Sequence, residues 1–311
     1  MKQQKFINNS RIVDSMDTEE IEKYMQAGKI TAQALEYGKS LVKKGALMVD
    51  VLDKIEQKVF DLNGKLAFPA QISCNHIAAH YCPEEDDKTV FSDQLVCLDV
   101  GVHVDGYIGD SAVTIDLSGK YADLVKAAQE ALYNALNTIK LGITLSEIGK
   151  TIQHTINSYG FAPVRNLSGH GLGHYQIHTK PNIPNFDNKD HTKIEKGMVF
   201  AIEPFASTGA GIVQDSGNAT VFELIGKKPV RNPITRQVLA EIESYNGLPF
   251  TKRWLTRKFG AKAKYALKEM EQLGMLHPHP PLADKDKGMI SQAEHSVLID
   301  NDGNVVVLTK N

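Results

Sequence analysis

The chain has little cysteine. Its 311 residues hold three, Cys74, Cys82 and Cys97, an odd number without the paired spacing of a structural zinc site. That argues against a disulfide-stapled secreted domain and for reduced thiols in the cytoplasm. Long apolar runs are also missing: none approaches the ~20 residues that cross a bilayer. The opening MKQQKFINNS has no apolar core of a signal peptide, so neither a membrane nor export is expected. Net charge is −2, which gives no general attraction to DNA, other nucleic acid or anionic lipid. What is present is ordinary for a globular protein with a large core: 42% hydrophobic and 23% charged residues.

Patterning gives an α+β chain with an internal echo. Asp17 with Glu20 forms a capping-box signal, and Ile21, Met25, Gly28, Ala32 and Leu35 then follow one helical face towards Gly45. Leu52, Ile55, Val59 and Leu62 mark a second helix ending near Gly64. Phe68–Pro69, an irregular stretch with His80, and the apolar run LVCLD follow. The order then recurs: a stripe at Leu124, Ala128, Leu132, Ala135 and Ile139, another at Ile148, Ile152 and Ile156, then Phe161, Pro163, His170 and VFAIE. Each half reads helix, helix, histidine-bearing loop, apolar strand, carboxylate. This implies a diverged duplication with two halves facing one cleft. Residues 231–287 break the rhythm as three short helices, read as a compact insertion. HPHPPL then reads as a rigid extended linker, followed by the strands AEHSVLID and VVVLT.

Asp105–Gly106 is a strong two-residue hairpin signal. It sets Val104 opposite Tyr107 and Gly101 opposite Asp110. Asp99 then shares a face with Gly101 and is the diagonal neighbour of Asp110, roughly 7–8 Å away at the backbone. Alone, each aspartate reads as an exposed turn residue. Together on a buried face they need protons or cations, and the spacing can bracket a two-metal centre. In NLSGHGLGHYQIH, the glycines oppose a helix and favour a loop that brings the backbone close to a ligand and aims His170 inward. His174 reads as an ordinary loop residue. His178 reads equally as a pocket wall or a satisfied core histidine. Glu203 and Glu294 each read alone as a strand end. With Asp99, Asp110 and His170 they make an oxygen-rich set with one nitrogen, suited to Mn, Fe, Co or Zn.

These segments carry a resemblance. FPAQISCNHIAAHYCP, LDVGVHVDGYIGDSAV, NLSGHGLGHYQIHTKPNIPN, GMVFAIEPFA and HPHPPL with QAEHSVLI match, in order along nearly the whole chain, the type 2 methionine aminopeptidases. These are pita-bread metallopeptidases, and the match is to archaeal-like members without an N-terminal extension. The resemblance implies two pseudo-symmetric halves, a curved antiparallel sheet covered by helices, and a small winged-helix-like unit. That would divide the chain into a catalytic domain of 1–230 and 288–311 and an insertion of 231–287. It implies two divalent metal ions held by Asp99, Asp110, His170, Glu203 and Glu294, with Asp110 and Glu294 bridging. Catalytic roles fall on His80, His178 and Glu203, and a methionine pocket on Phe68, Ile177, His178, Phe205 and His279, with His80 contacting the substrate backbone. His279 stands where the family often has tyrosine.

The activity implied is removal of the initiator methionine from nascent chains with a small second residue, through a water shared by the two ions. Two alternatives share the fold. One is an Xaa-Pro peptidase or prolidase, which usually carries a longer N-terminal region. The other is a non-catalytic binding protein, which would have lost metal ligands. The expected partner is a peptide N-terminus, and a monomer is expected. Lys252, Arg253, Arg257, Lys258, Lys262 and Lys264 form a basic run without acid. A solvated helix face is its default reading, and ribosome contact is the alternative.

Overall fold

The computed structural model describes residues 16–310. The opening ten residues, read above for a signal peptide, lie outside them. Seven helices occur among the described residues: α1 (Thr18–Leu41), α2 (Met48–Asp61), α3 (Ala122–Thr138), α4 (Leu145–Ser158), α5 (Pro233–Glu243), α6 (Lys252–Phe259) and α7 (Ala261–Gln272). No helix among them is long and apolar enough to cross a membrane.

Each half pairs two helices with antiparallel strands. In the first, α1 and α2 cover the hairpin Leu95–Val104 and Tyr107–Asp116, around Ile30, Leu52, Ile55, Val96, Leu98 and Val100. In the second, α3 and α4 cover the strands Ser168–Gly173, Gln176–Pro184, Val199–Ile202 and His295–Ile299. Leu124, Ile148, Ile152, Phe200 and Val297 fill the space between. Both capping boxes explain where helices start. Asp17 accepts from the Glu19 backbone while Glu20 reaches back to Asp17, and Thr144 and Glu147 repeat the device at α4. Val113 bridges to Ala293 and joins the sheets of the two halves.

Helix α1 approaches the first hairpin through small residues. A methyl on Gly109 would meet the Gly28 backbone, and one on Gly28 would strike the Leu308 carbonyl. Thr31 Oγ1 uses the closeness, sharing its hydrogen between the Ala27 carbonyl at 2.9 Å and the Gly109 carbonyl at 3.0 Å.

Helices α5–α7 share a core of Val238, Ile242, Leu255, Ala266 and Met270. That core also takes in Phe222 and Leu276 from outside the three helices. The strands Val221–Leu224, Phe250–Thr251 and Leu276–His279 form one antiparallel sheet beside them. HPHPPL is therefore not a free linker. Its first half pairs with Val221–Leu224, and Leu282–Asp284 pairs with Val213–Asp215. The prolines are accommodated where they owe no ladder donor.

The basic run is largely spent internally. Arg253 is fully buried and binds Glu56 at 2.7 Å as well as Asp53, and Arg257 binds Asp53 at 2.6 Å. Lys252 meets Glu84 at 2.6 Å, and Lys258 meets Glu241. Through Arg253 and Trp254, α6 is pinned onto α2.

Two predictions follow from this packing. Alanine at an ordinary helical glycine stabilises by about 1 kcal/mol, but Gly28→Ala should lose about 1–3 kcal/mol because the methyl overpacks against backbone. Chemical denaturation checks this, and a gain in stability would contradict the contact. His103 is buried, and its Nδ1 accepts the Gly106 N–H at 3.0 Å in the hairpin turn. Burial, with help from Lys65, holds its pKa down to about 4 against an ordinary 6.5. The unfolded chain then binds more protons between those values. This contribution is complete above pH 6.5 and is lost as the pH falls towards 4. His103→Asn keeps an acceptor but cannot titrate, so it should flatten the pH dependence of stability in that window by about 2 kcal/mol.

Candidate metal centre

The site forms where the two halves meet. Asp99 and Asp110 lie on the first hairpin, whose register sets Gly101 opposite Asp110 and Asp99 opposite Ala112. The turn itself has Asp105 and Gly106 both at positive φ, as a tight two-residue hairpin requires. The neighbouring half holds this hairpin closely. The Asp110 N–H donates to Ser296 Oγ, which donates back to the Asp110 carbonyl, both at 2.8 Å, and Ser111 Oγ donates to the Glu294 carbonyl at 2.7 Å. These bonds bring Asp110 and Glu294 together across 184 residues of chain.

His170 lies not on a loop but on the strand Ser168–Gly173, which pairs with Gln176–Pro184 through shifts in register. Its glycines serve strand packing. A side chain at Gly169 would strike the Ala201 carbonyl, and one at Gly171 the Lys180 carbonyl. Glu203 follows the strand Val199–Ile202. His174 turns away, its Nε2 lying 2.8 Å from the Asp105 carbonyl.

One cavity of about 270 Å³ collects the residues singled out from sequence. Asp99, Asp110, His170, Glu203 and Glu294 line it, together with Phe68, His80, Ile177, His178, Phe205 and His279. Its chemistry is short of positive charge. Asp99 Oδ1, Asp110 Oδ1 and Glu294 Oε1 are buried and have no hydrogen-bond partner. His170 Nδ1 lies 3.4 Å from the Gly171 carbonyl, which can only accept, so Nδ1 carries the proton. The Nε2 lone pair then faces Asp110 Oδ2 at 3.7 Å and Glu203 Oε1 at 3.9 Å. Burial pushes Asp99 up to about 7 and holds Asp110, Glu203 and Glu294 well above the usual carboxylate range, with the neighbouring carboxylates adding to it. Burial also lowers His170 to about 4, which keeps it neutral and able to ligate. Donor atoms of Asp110, His170 and Glu294 lie within 4.8 Å of one another. A set of acceptors with orphaned oxygens and no donor at its centre fits a divalent cation, and the oxygen-rich chemistry suits a hard or borderline one.

Around this set is a rim of imidazoles. His170 and His178 rings meet edge to face at 4.5 Å, His80 and His279 at 5.5 Å, and His279 and His277 at 4.9 Å. His80 sits at positive φ, its N–H bound to Gln71 Oε1 at 2.8 Å and its Nδ1 donating to the Pro280 carbonyl at 3.2 Å. Its Nε2 is left as an acceptor. Burial, then His279, lowers its pKa to about 4. The surrounding protein, then the His170, His80 and His279 rings, hold His178 well below its ordinary value. His279 Nε2 lies 3.5 Å from Glu223.

Sequence reasoning passed over Gln71 and Gln292. Gln292 Nε2 donates to Glu203 Oε2 at 3.0 Å and Glu294 Oε2 at 3.4 Å. A signal existed: Gln292 precedes Glu294 by two, and strand alternation puts both on one face.

Comparison with known proteins agrees with this chemistry. The model of metallopeptidase family M24 matches residues 22–231. A methionine aminopeptidase of Archaeoglobus fulgidus is 41% identical over 297 residues, 95% of this chain and 100% of that protein. One of Methanocaldococcus jannaschii is 39% identical with the same coverage. The crystal structure of methionine aminopeptidase from Thermotoga maritima superposes with a TM-score of 0.70 at 25% identity, covering 95% of this chain and 98% of that one. The chain belongs to metallopeptidase family M24, on its methionine aminopeptidase branch, and has the pita-bread fold of that family.

Proposed function

We propose that Asp99, Asp110, His170, Glu203 and Glu294 hold two divalent ions, and that the chain excises the initiator methionine from nascent polypeptides with a small second residue. The observation that carries this is the trio of buried carboxylate oxygens without partners, beside an imidazole whose lone pair points at carboxylates. Bound divalent metal would supply an acidified water and a Lewis-acid charge for the free amine at neutral pH.

The chain's own residues do the rest. Glu203, once ionised, takes a proton from the attacking water and passes it to the leaving amine, and the burial that raises its pKa makes its carboxylate the stronger base for that transfer. His178 donates an N–H to the oxyanion that develops on the scissile carbonyl. His80, with Nδ1 spent on Pro280, accepts from the backbone of the second and third substrate residues through Nε2. Phe68, Ile177 and Phe205, all buried, take up the unbranched thioether side chain, with His279 as the remaining wall.

The helices α5–α7 and the archaeal relatives support a type 2 assignment, with 231–287 as the inserted unit. A monomer suffices, since every residue named for the site comes from one chain. Nascent chains as substrate place the enzyme in the cytoplasm. Ribosome contact through the basic run is not part of the proposal, because Lys252, Arg253, Arg257 and Lys258 are paired within the chain.

The test is a peptide panel on metal-stripped protein reconstituted with Co, Mn, Fe or Zn one ion at a time. Chelation should abolish cleavage of Met-Ala-Ser reversibly, and full activity after exhaustive chelation would contradict the metal centre. Preference for an Ala-Pro dipeptide would instead favour the prolidase reading. His80→Ala should reduce turnover about 100-fold or more with an unchanged melting temperature; undiminished turnover would remove its role. Glu203→Ala should lose turnover at least as severely.

A further inference from the structure

Gln292 stands behind the cavity rather than in it. It is 2% exposed, at the end of the strand Ile290–Gln292. Its backbone is clamped on both sides by Thr114. The Gln292 N–H reaches Thr114 Oγ1 at 2.9 Å, and that hydroxyl donates to the Gln292 carbonyl at 2.7 Å. The side-chain amide is then fully used. Nε2 has two hydrogens, and they go to Oε2 of Glu203 and Oε2 of Glu294. Oε1 accepts from Cys97 Sγ at 2.9 Å. Turning the amide over would set its oxygen against two carboxylates and its NH₂ against the thiol, so both ends select one orientation.

The consequence falls on the other oxygen of each glutamate. Glu294 Oε1 is buried without a partner, and Glu203 Oε1 faces His170 Nε2 at 3.9 Å. We propose that Gln292 is the positioning residue of the metal-binding glutamates: one amide holds Oε2 of both, leaves both Oε1 atoms to the centre of the site, and is itself oriented by Cys97. The inference rests on Glu203 and Glu294 being metal ligands. It gives Cys97 a role in the site, two residues before Asp99 on the same strand face. The general basis is that groups bonding to metal ligands set their direction, and losing one typically weakens metal binding about 10–100-fold.

Isothermal titration of chelator-treated protein with MnCl₂ or CoCl₂ tests this without reference to turnover. Gln292→Met keeps the shape and removes both N–H donors. It should weaken metal affinity roughly 10-fold or more, while the melting temperature of the metal-free protein stays near that of the wild type. Cys97→Val should weaken affinity about 5-fold, the worth of one hydrogen bond, and Cys97→Ser, which still donates, should restore it. Wild-type protein that binds neither metal would overturn the ligand assignment itself. Wild-type protein that binds metal, with Gln292→Met binding equally well, would leave the ligands standing and overturn the role of Gln292. Should Gln292→Met not fold, the cysteine pair decides: equal affinity in the valine and serine variants counts against the proposal, and loss with valine but not serine supports it.

Discussion

Four carboxylates share one cleft with no lysine or arginine among its lining residues. Desolvation and mutual repulsion both oppose their charge, and every hydrogen bond that could relieve them is either missing or made from behind. Such a cluster is tolerable when protonated or when a cation fills it. A catalyst that must ionise water near neutral pH needs the second state. The site is thus a place where the fold holds desolvated carboxyl groups whose ionised form calls for a metal ion.

The architecture keeps these carboxyl groups turned inward. A side chain free to rotate would turn its carboxylate towards solvent. The main chain at Asp110 and Glu294 is set by bonds through Ser296 and Ser111, which tie one half of the molecule to the other, and both side chains are buried there. The helices of each half cover the outer faces of these strands, so the acids have the cleft as their outlet. The buried Arg253–Glu56–Asp53 cluster handles charge differently. There the cation belongs to the chain, the Arg253 Nη1 and Nη2 groups meet both carboxylates, and the result is a join between α2 and α6 rather than a binding site.

Legibility from sequence varied with the range of the interaction. The hairpin at Asp105–Gly106 was readable because two residues and alternation settle it, and the register of Asp99 and Asp110 followed. The segment at His170 was misread as a loop because glycine usually marks flexibility. Here Gly169 and Gly171 are small because neighbouring carbonyls crowd the strand, which shows only when the partner strands are in place. HPHPPL was misread as a linker for a related reason: proline disfavours central strands, and only the sheet shows that these positions owe no donor. Gln292 was missed because an amide two residues from an acid is unremarkable until its partners come from two other strands.

The sequence by itself determined the local conditions: where helices begin, where the first hairpin turns, and therefore that two aspartates share a face. Helix caps and two-residue turns are decided by atoms a few bonds apart. For the whole site the sequence supplied a resemblance, not a geometry. Only the tertiary structure decided that Glu203, Glu294 and His170 meet those aspartates, which oxygens are left unpaired, and which cations of the basic run are already occupied. Those outcomes depend on contacts between residues far apart in the chain, and such contacts exist only once both halves have packed.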